Sequence, residues 1–158
     1  ATDGVSSEAH TKILALAKAR AVAARFPAAT VIGSDTVVDL DGAIIGKPDD
    51  ADQAEAIVRA LFSRPHKVIT GLALVCSEKE VEIVEADTTV VYPRPLSEAQ
   101  IAEHIAGGGW QGKAGAYGIQ ETGDAFVDRI DGSFTNVMGL PMERIQRLLA
   151  SVGIRPRG

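Results

Sequence analysis

The chain has 158 residues, a length that suits one domain with a substantial buried core. Its 46% hydrophobic and 23% charged residues are the ordinary balance of a globular protein. A formal charge of −5 argues against a general nucleic-acid or membrane-surface binder, while leaving room for a small polyanion held by a local group of lysines.

The single cysteine, Cys76, rules out an internal disulfide and any cysteine-rich zinc site, and its apolar surroundings predict a buried, inert thiol. No run of residues reaches the length of a membrane-spanning helix.

Ala1 to Ser7 reads as a loop. From Glu8 to Phe26 apolar residues recur at helical spacing, which predicts a helix with Ile13, Leu16, Ala17, Ala21 and Ala24 on the core. Lys18 stands near the edge of that face. It either runs its stem out to water or turns over the edge of the core into a cleft. Pro27 marks the end of the helical region.

Thr30–Gly33 reads as a strand that delivers Asp35 and Thr36 at its carboxyl end. Asp41-Gly42 fits a two-residue turn whose central positions both take positive φ, and a second short strand then returns the chain to Lys47. That hairpin folds Lys47 back toward Asp35. An acid, a hydroxyl and a cation there suit a metal and phosphates, because open α/β sheets bind ligands outside strand ends. The same stretch also reads as a plain surface hairpin with an Asx-type turn at Asp35.

Asp50 is placed to cap a second helix, with Gln53 three residues on and Ala54, Ile57, Val58 and Leu61 as its apolar face. His66–Cys76 reads as a long buried strand and Val81–Tyr92 as its partner, bounded by Pro93 and Pro95. Ser97 caps a third helix with Gln100 at the capping-box position, and Gly107-Gly108-Gly109 breaks it. Phe126–Ile130, Asp131-Gly132 and Ser133-Phe134 suggest a further hairpin. Pro141 opens a last helix that Gly153 stops. The order of elements predicts an α/β fold with a mixed sheet.

Several segments, taken together and in this order, resemble the Maf family of nucleoside triphosphate pyrophosphatases, cytoplasmic enzymes that hydrolyse nucleotides to the monophosphate and pyrophosphate. They are Ala17-Lys18-Ala19, Gly33-Ser34-Asp35-Thr36-Val37-Val38, Gly46-Lys47-Pro48 and His66-Lys67-Val68-Ile69-Thr70-Gly71. To these are added Lys113-Ala114-Gly115-Ala116-Tyr117-Gly118-Ile119-Gln120 and Gly132-Ser133-Phe134 through Gly139-Leu140-Pro141. The branch it looks most like prefers dTTP and UTP. The resemblance implies a Maf/ITPase-like architecture: α/β, with a mixed, elongated β-sheet flanked by helices and a nucleotide cleft. Residues 1–158 then form a single Maf-like domain.

Two departures stand out. The family opens with a strand and a Ser-x-Ser-Pro-Arg-Arg loop that grips the triphosphate, and nothing here matches it, so the opening unit is expected to be deleted or outside the sequence. Leu61-Phe62-Ser63-Arg64-Pro65 also stands where the family commonly has Leu-Ser-Gly-Arg.

By the resemblance, Asp35 is the acidic centre. It orients or deprotonates the attacking water, or holds Mg²⁺ or Mn²⁺ directly; Mg²⁺ needs only one or two protein carboxylates. Lys18 and Lys47 neutralise phosphate oxygens, Thr36 donates to a phosphate or places the water, and Gln120 reads the pyrimidine edge or completes the phosphate site. His66 is read as a structural histidine rather than a general acid or base, Lys113 as a solvated loop lysine with a further phosphate contact as its alternative, and Trp110 as a core plug, with base stacking as its alternative. The sequence does not fix the oligomeric state, and dimers are common among lookalikes, which leaves a homodimer open. The contrasting reading is a non-catalytic nucleotide-binding or regulatory protein tied to septum formation and cell-division arrest.

Overall fold

The computed structural model describes residues 6–119 and 125–156. A five-stranded sheet in the order β2-β1-β3-β4-β5 forms the middle layer. Its strands are β1 (Val31–Leu40), β2 (Ala43–Ile45), β3 (His66–Cys76), β4 (Val81–Pro93) and β5 (Val127–Asp131). The helices are α1 (Ser7–Ala23), α2 (Ala51–Leu61), α3 (Glu98–Gly107), α4 (Phe134–Val137) and α5 (Met142–Ser151).

The α/β sheet flanked by helices is present, and among the described residues every ladder is antiparallel rather than mixed. The connections explain this. β1 and β2 are joined by the Asp41-Gly42 turn, where φ is 51° and 89°, as the residue types predict. α2 does link two strands of the same direction, β2 and β3, but β1 lies between them, so no parallel ladder forms.

β1 is longer than expected. Instead of ending at Gly33 it pairs with β3 from Val31↔Val75 to Asp39↔Lys67, sustained by the β-branched Val37 and Val38. Asp35 and Thr36 therefore sit in mid-strand, not at a strand end. β2 pairs only with Val38–Leu40, so among the described residues the outer edge of β1 from Val31 to Val37 has no strand beside it.

α1 lies across β1 and β3 on one face of the sheet. Ser6 caps it, its side chain accepting from the Ala9 backbone N–H. Its buried stripe is Ser7, Thr11, Ala15, Ala19 and Ala23 at strict four-residue spacing. This corrects the face expected from periodicity: Ile13 is 60% exposed, and Ala17, Ala21 and Ala24 are exposed too. The reason lies in the sheet. Gly33 and Gly71 let the helix backbone come so close that only small side chains fit between, and Ala15, Ala19 and Ala23 close the gap with Ala73 and Val75.

The opposite face carries the larger core. Val38, Leu40, Val68 and Val91 from the sheet meet Ala54, Val58 and Leu61 of α2, Ile101 of α3, and Phe62, Tyr117 and Phe126. Each fully buried leucine or valine there contributes about 1.5–3 kcal/mol. Leu72 and Leu74 pack under Ile145 and Leu148 of α5 at the other end. The caps of α2 and α3 form as expected, Asp50 Oδ1 accepting from the Gln53 N–H at 2.8 Å and Ser97 with Gln100 closing a full capping box.

The expected second hairpin is not there. β5 pairs with β4, but at Gly132 the chain turns against Thr88 and Thr89, and Ser133 caps α4 instead of starting a strand. Cys76 is buried and free, as predicted. No helix among the described residues is long and apolar enough to cross a membrane.

Candidate active site

Alternation along β1 sends Gly33 and Asp35 toward α1, and Thr36 and Val38 toward the α2–α4 side. At the uncovered outer edge of β1 the two faces meet, and a pocket of about 470 Å³ opens there. That is within the size range of small-molecule sites. Ser34, Asp35 and Thr36 contribute one wall, Lys18 of α1 another, and Lys47 arrives just past β2. The segment from Lys113 to Ile119 and the turn Val137–Gly139 complete it, over a floor of Val38 and Val68.

The Asp41-Gly42 hairpin thus does bring Lys47 to the pocket that holds Asp35. Lys18 turns into the cleft: its ammonium donates to Asp35 Oδ1 at 2.8 Å and to the Ser34 carbonyl at 3.3 Å. Because the Lys18 side chain is 57% exposed, the ion pair adds about 0–1 kcal/mol of stability at most. Its consequence is positional: it fixes a cation beside the carboxylate. Gln120, named on sequence grounds, lies outside the described residues.

Thr36 faces Thr70 directly across the β1–β3 ladder, their hydroxyls 2.8 Å apart. Thr36 also reaches the Gly139 carbonyl at 3.4 Å, and Thr70, fully buried, reaches the Asn136 carbonyl at 3.3 Å. The Asn136 side-chain amide donates to Val68 O and Thr89 Oγ1, both at 3.0 Å. This network pins α4 to the sheet and so sets the Val137–Gly139 turn against the pocket.

Lys113 lines the pocket as well, which favours the phosphate contact over the solvated loop lysine that the sequence reading preferred. Among the described residues the charged lining is then three lysines against one aspartate, a locally positive site on a chain of net charge −5. Such a site attracts phosphates by field as well as contact. Trp110 takes the plug reading: it packs on the main core and donates Nε1–H to the Ile105 carbonyl at 2.9 Å.

His66 is buried at 2% exposure and touches no open part of the pocket. Its Nδ1 lies 3.1 Å from the Leu61 carbonyl and its Nε2 2.7 Å from the Tyr117 hydroxyl. Burial pushes the imidazole below its ordinary value, outweighing backbone hydrogen bonds at Leu61 and Arg64 that favour the charged form. The folded chain therefore binds this proton less readily than the unfolded one, and stability falls as pH drops below about 6.5, where only the unfolded chain takes the proton up. Urea midpoints measured at about pH 7 and about pH 5.5 should show that loss in the wild type and a flatter response in His66→Gln.

Comparison with known proteins gives a consistent picture. A family model described as Maf-like protein matches residues 2–152. A dTTP/UTP pyrophosphatase of Symbiobacterium thermophilum is 45% identical over 140 residues, spanning 89% of this chain and 71% of that protein. One from Salinibacter ruber is 45% identical over 139 residues, spanning 87% and 68%. One from Koribacter versatilis is 41% identical over 153 residues, spanning 97% and 78%.

Proposed function

The chain belongs to the Maf family, and on that footing we propose that it is a nucleoside triphosphate pyrophosphatase acting on dTTP and UTP. The observation that carries this reading is that Lys18, Lys47 and Lys113 line one pocket with Asp35 at the open edge of β1.

Hydrolysis between the α- and β-phosphates needs a positioned water, cations on the phosphate oxygens, and stabilisation of the charge that develops on the leaving pyrophosphate. Asp35 is the only carboxylate lining the pocket among the described residues and is assigned to the water, accepting its proton as the water oxygen bonds the α-phosphorus and the bridging P–O bond to the leaving pyrophosphate breaks. Lys18 holds one oxygen of that carboxylate, which fixes the direction in which the group accepts. Lys47 and Lys113 take the phosphate charge as point cations. Thr36, with its hydroxyl held between Thr70 and Gly139, places the water or contacts a phosphate. The apolar floor suits the sugar and base.

A divalent cation, Mg²⁺ or Mn²⁺, is part of the proposal. The donor set fits it: a hard carboxylate oxygen from Asp35 beside hydroxyl and carbonyl oxygens, with no cluster of three His, Cys, Asp or Glu among the described residues and no need of one for Mg²⁺. When bound it would supply neutralisation of the phosphate charge, held by the Asp35 carboxylate. A cytoplasmic location and a homodimer belong to the same proposal and are checked by fractionation and sedimentation.

The test is pyrophosphate release from a nucleotide panel with Mg²⁺ or Mn²⁺ and after chelation. Release from dTTP and UTP that stops on chelation and returns with metal supports the reading; no release from any nucleotide overturns it. Lys47→Ala should raise KM for the nucleotide by roughly 10- to 100-fold, the worth of one hydrogen bond to a charged group. Lys113→Ala should act in the same direction. An unchanged KM in both would take the lysines out of phosphate binding.

A further inference from the structure

The pocket wall between Lys113 and Ile119 is held in an unfavourable backbone shape. Gly115 has φ 76° and Ala116, the next residue, φ 61°. The left-handed region is easy for glycine and costly for alanine, and such a residue persists only where its surroundings over-determine it. The surroundings here are identifiable. His104 Nε2–H donates to the Ala116 carbonyl at 2.8 Å, and the Ala116 N–H donates to the Lys113 carbonyl at 3.0 Å. On the other side of Ala116, Tyr117 reaches His66 at 2.7 Å.

The direction of that last bond follows from its far end. A carbonyl can only accept, so the contact with Leu61 O places the proton of the neutral imidazole on Nδ1. Nε2 is then a lone pair, and the Tyr117 hydroxyl donates to it. The tyrosine ring has one seat, edge-on to Phe62 at 5.0 Å and to His66 at 5.7 Å. His66 itself is fixed at the start of β3, paired with Val91. The result is a buried strut running from the sheet through His66 and Tyr117 to the wall.

We propose that His66 is a positioning residue for the nucleotide pocket, holding the Lys113–Ile119 wall in its strained, ligand-ready shape through the Tyr117 hydroxyl. The inference rests on the pyrophosphatase reading and adds to it what keeps that site formed before substrate arrives. Without the strut Ala116 relaxes toward an ordinary backbone, and Lys113, Gly118 and Ile119 leave their places in the lining.

Tyr117→Phe keeps the ring and its packing but removes the donor, leaving His66 Nε2 buried and unpaired. Two readouts decide the matter. Amide hydrogen exchange over residues 113–119 should accelerate in Tyr117→Phe and in His66→Leu. KM for UTP should rise roughly 10-fold with a smaller change in kcat, the scale of one buried hydrogen bond lost. His66→Gln, whose amide oxygen can still accept from Tyr117, should recover most of both effects. Exchange and KM at wild-type values in Tyr117→Phe and His66→Leu, with only melting temperature lowered, overturn the proposal and leave His66 a stabilising residue. A wild type that hydrolyses no nucleotide overturns the pyrophosphatase reading instead, and the exchange result still decides whether the strut exists.

Discussion

Asp35→Asn should lower turnover by roughly 10²- to 10⁴-fold, the range expected when a general acid–base group is removed, and by far more than it weakens nucleotide binding. The amide has the shape of the carboxylate, and its oxygen can still accept from the Lys18 ammonium now 2.8 Å from Oδ1. What it loses is basicity and a negative charge. The lost charge is one that a bound polyphosphate must otherwise tolerate in a pocket lined also by Lys18, Lys47 and Lys113. Removing it relieves that repulsion but also takes a carboxylate from the proposed metal site, so the net effect on affinity is small beside the loss of the base, and kcat and KM separate. Steady-state kinetics on UTP with binding of a non-hydrolysable analogue make the separation visible. Full turnover in the Asn variant takes Asp35 out of the chemistry. A large rise in KM with kcat intact makes it a binding group only.

How much of this was legible in the sequence depends on how local each signal is. The caps at Asp50 and Ser97 and the Asp41-Gly42 turn depend on residues three or four apart, and all formed as read. The long apolar run of β3 was equally plain, because burial on both faces leaves Thr70 as its one polar side chain after Lys67. The hairpin brought Lys47 to the pocket that holds Asp35 for the same local reason. Readings failed where a distant partner decides. The buried face of α1 cannot be seen from its own periodicity, since Gly33 and Gly71 on two other elements dictate the small stripe. Ending β1 at Gly33 ignored β3, which pairs with it for several residues more. Ser133 looked like strand, but the contacts of Gly132 with Thr88 and Thr89 turn the chain into α4. Lys113 reached the site through a wall that His66 meets from 51 residues before Tyr117, and no spacing rule encodes that. The one available signal was its place at the head of a segment rich in small residues.

The two close-packed glycines give the largest expected effect on stability. A Cβ on Gly71 would lie 2.4 Å from the carbonyl carbon and oxygen of Thr11 and 2.7 Å from the Lys12 nitrogen. One on Gly33 would lie 2.4 Å from the Ala15 oxygen and 2.9 Å from the Ala19 nitrogen. These are backbone atoms of α1, so no rotamer change makes room; the helix must lift. Overpacking of this kind costs about 3 kcal/mol or more, the upper end of what extra methyl groups inflict, and in a chain this long that lowers Tm by roughly 6–12 °C. Gly107→Ala is the matched control, because its new methyl group would meet nothing within 4 Å and its φ is ordinary. It should leave Tm unchanged or slightly raised. The same substitutions also report on function, because α1 carries Lys18. Lifting the helix from Gly33 draws the ammonium away from Asp35, so Gly33→Ala should lose activity at temperatures where it is still folded, which circular dichroism measured alongside turnover can establish. If both alanine variants melt within about 2 °C of wild type, less than 1 kcal/mol, α1 does not approach the sheet this closely, and the placement of Lys18 beside Asp35 falls with it.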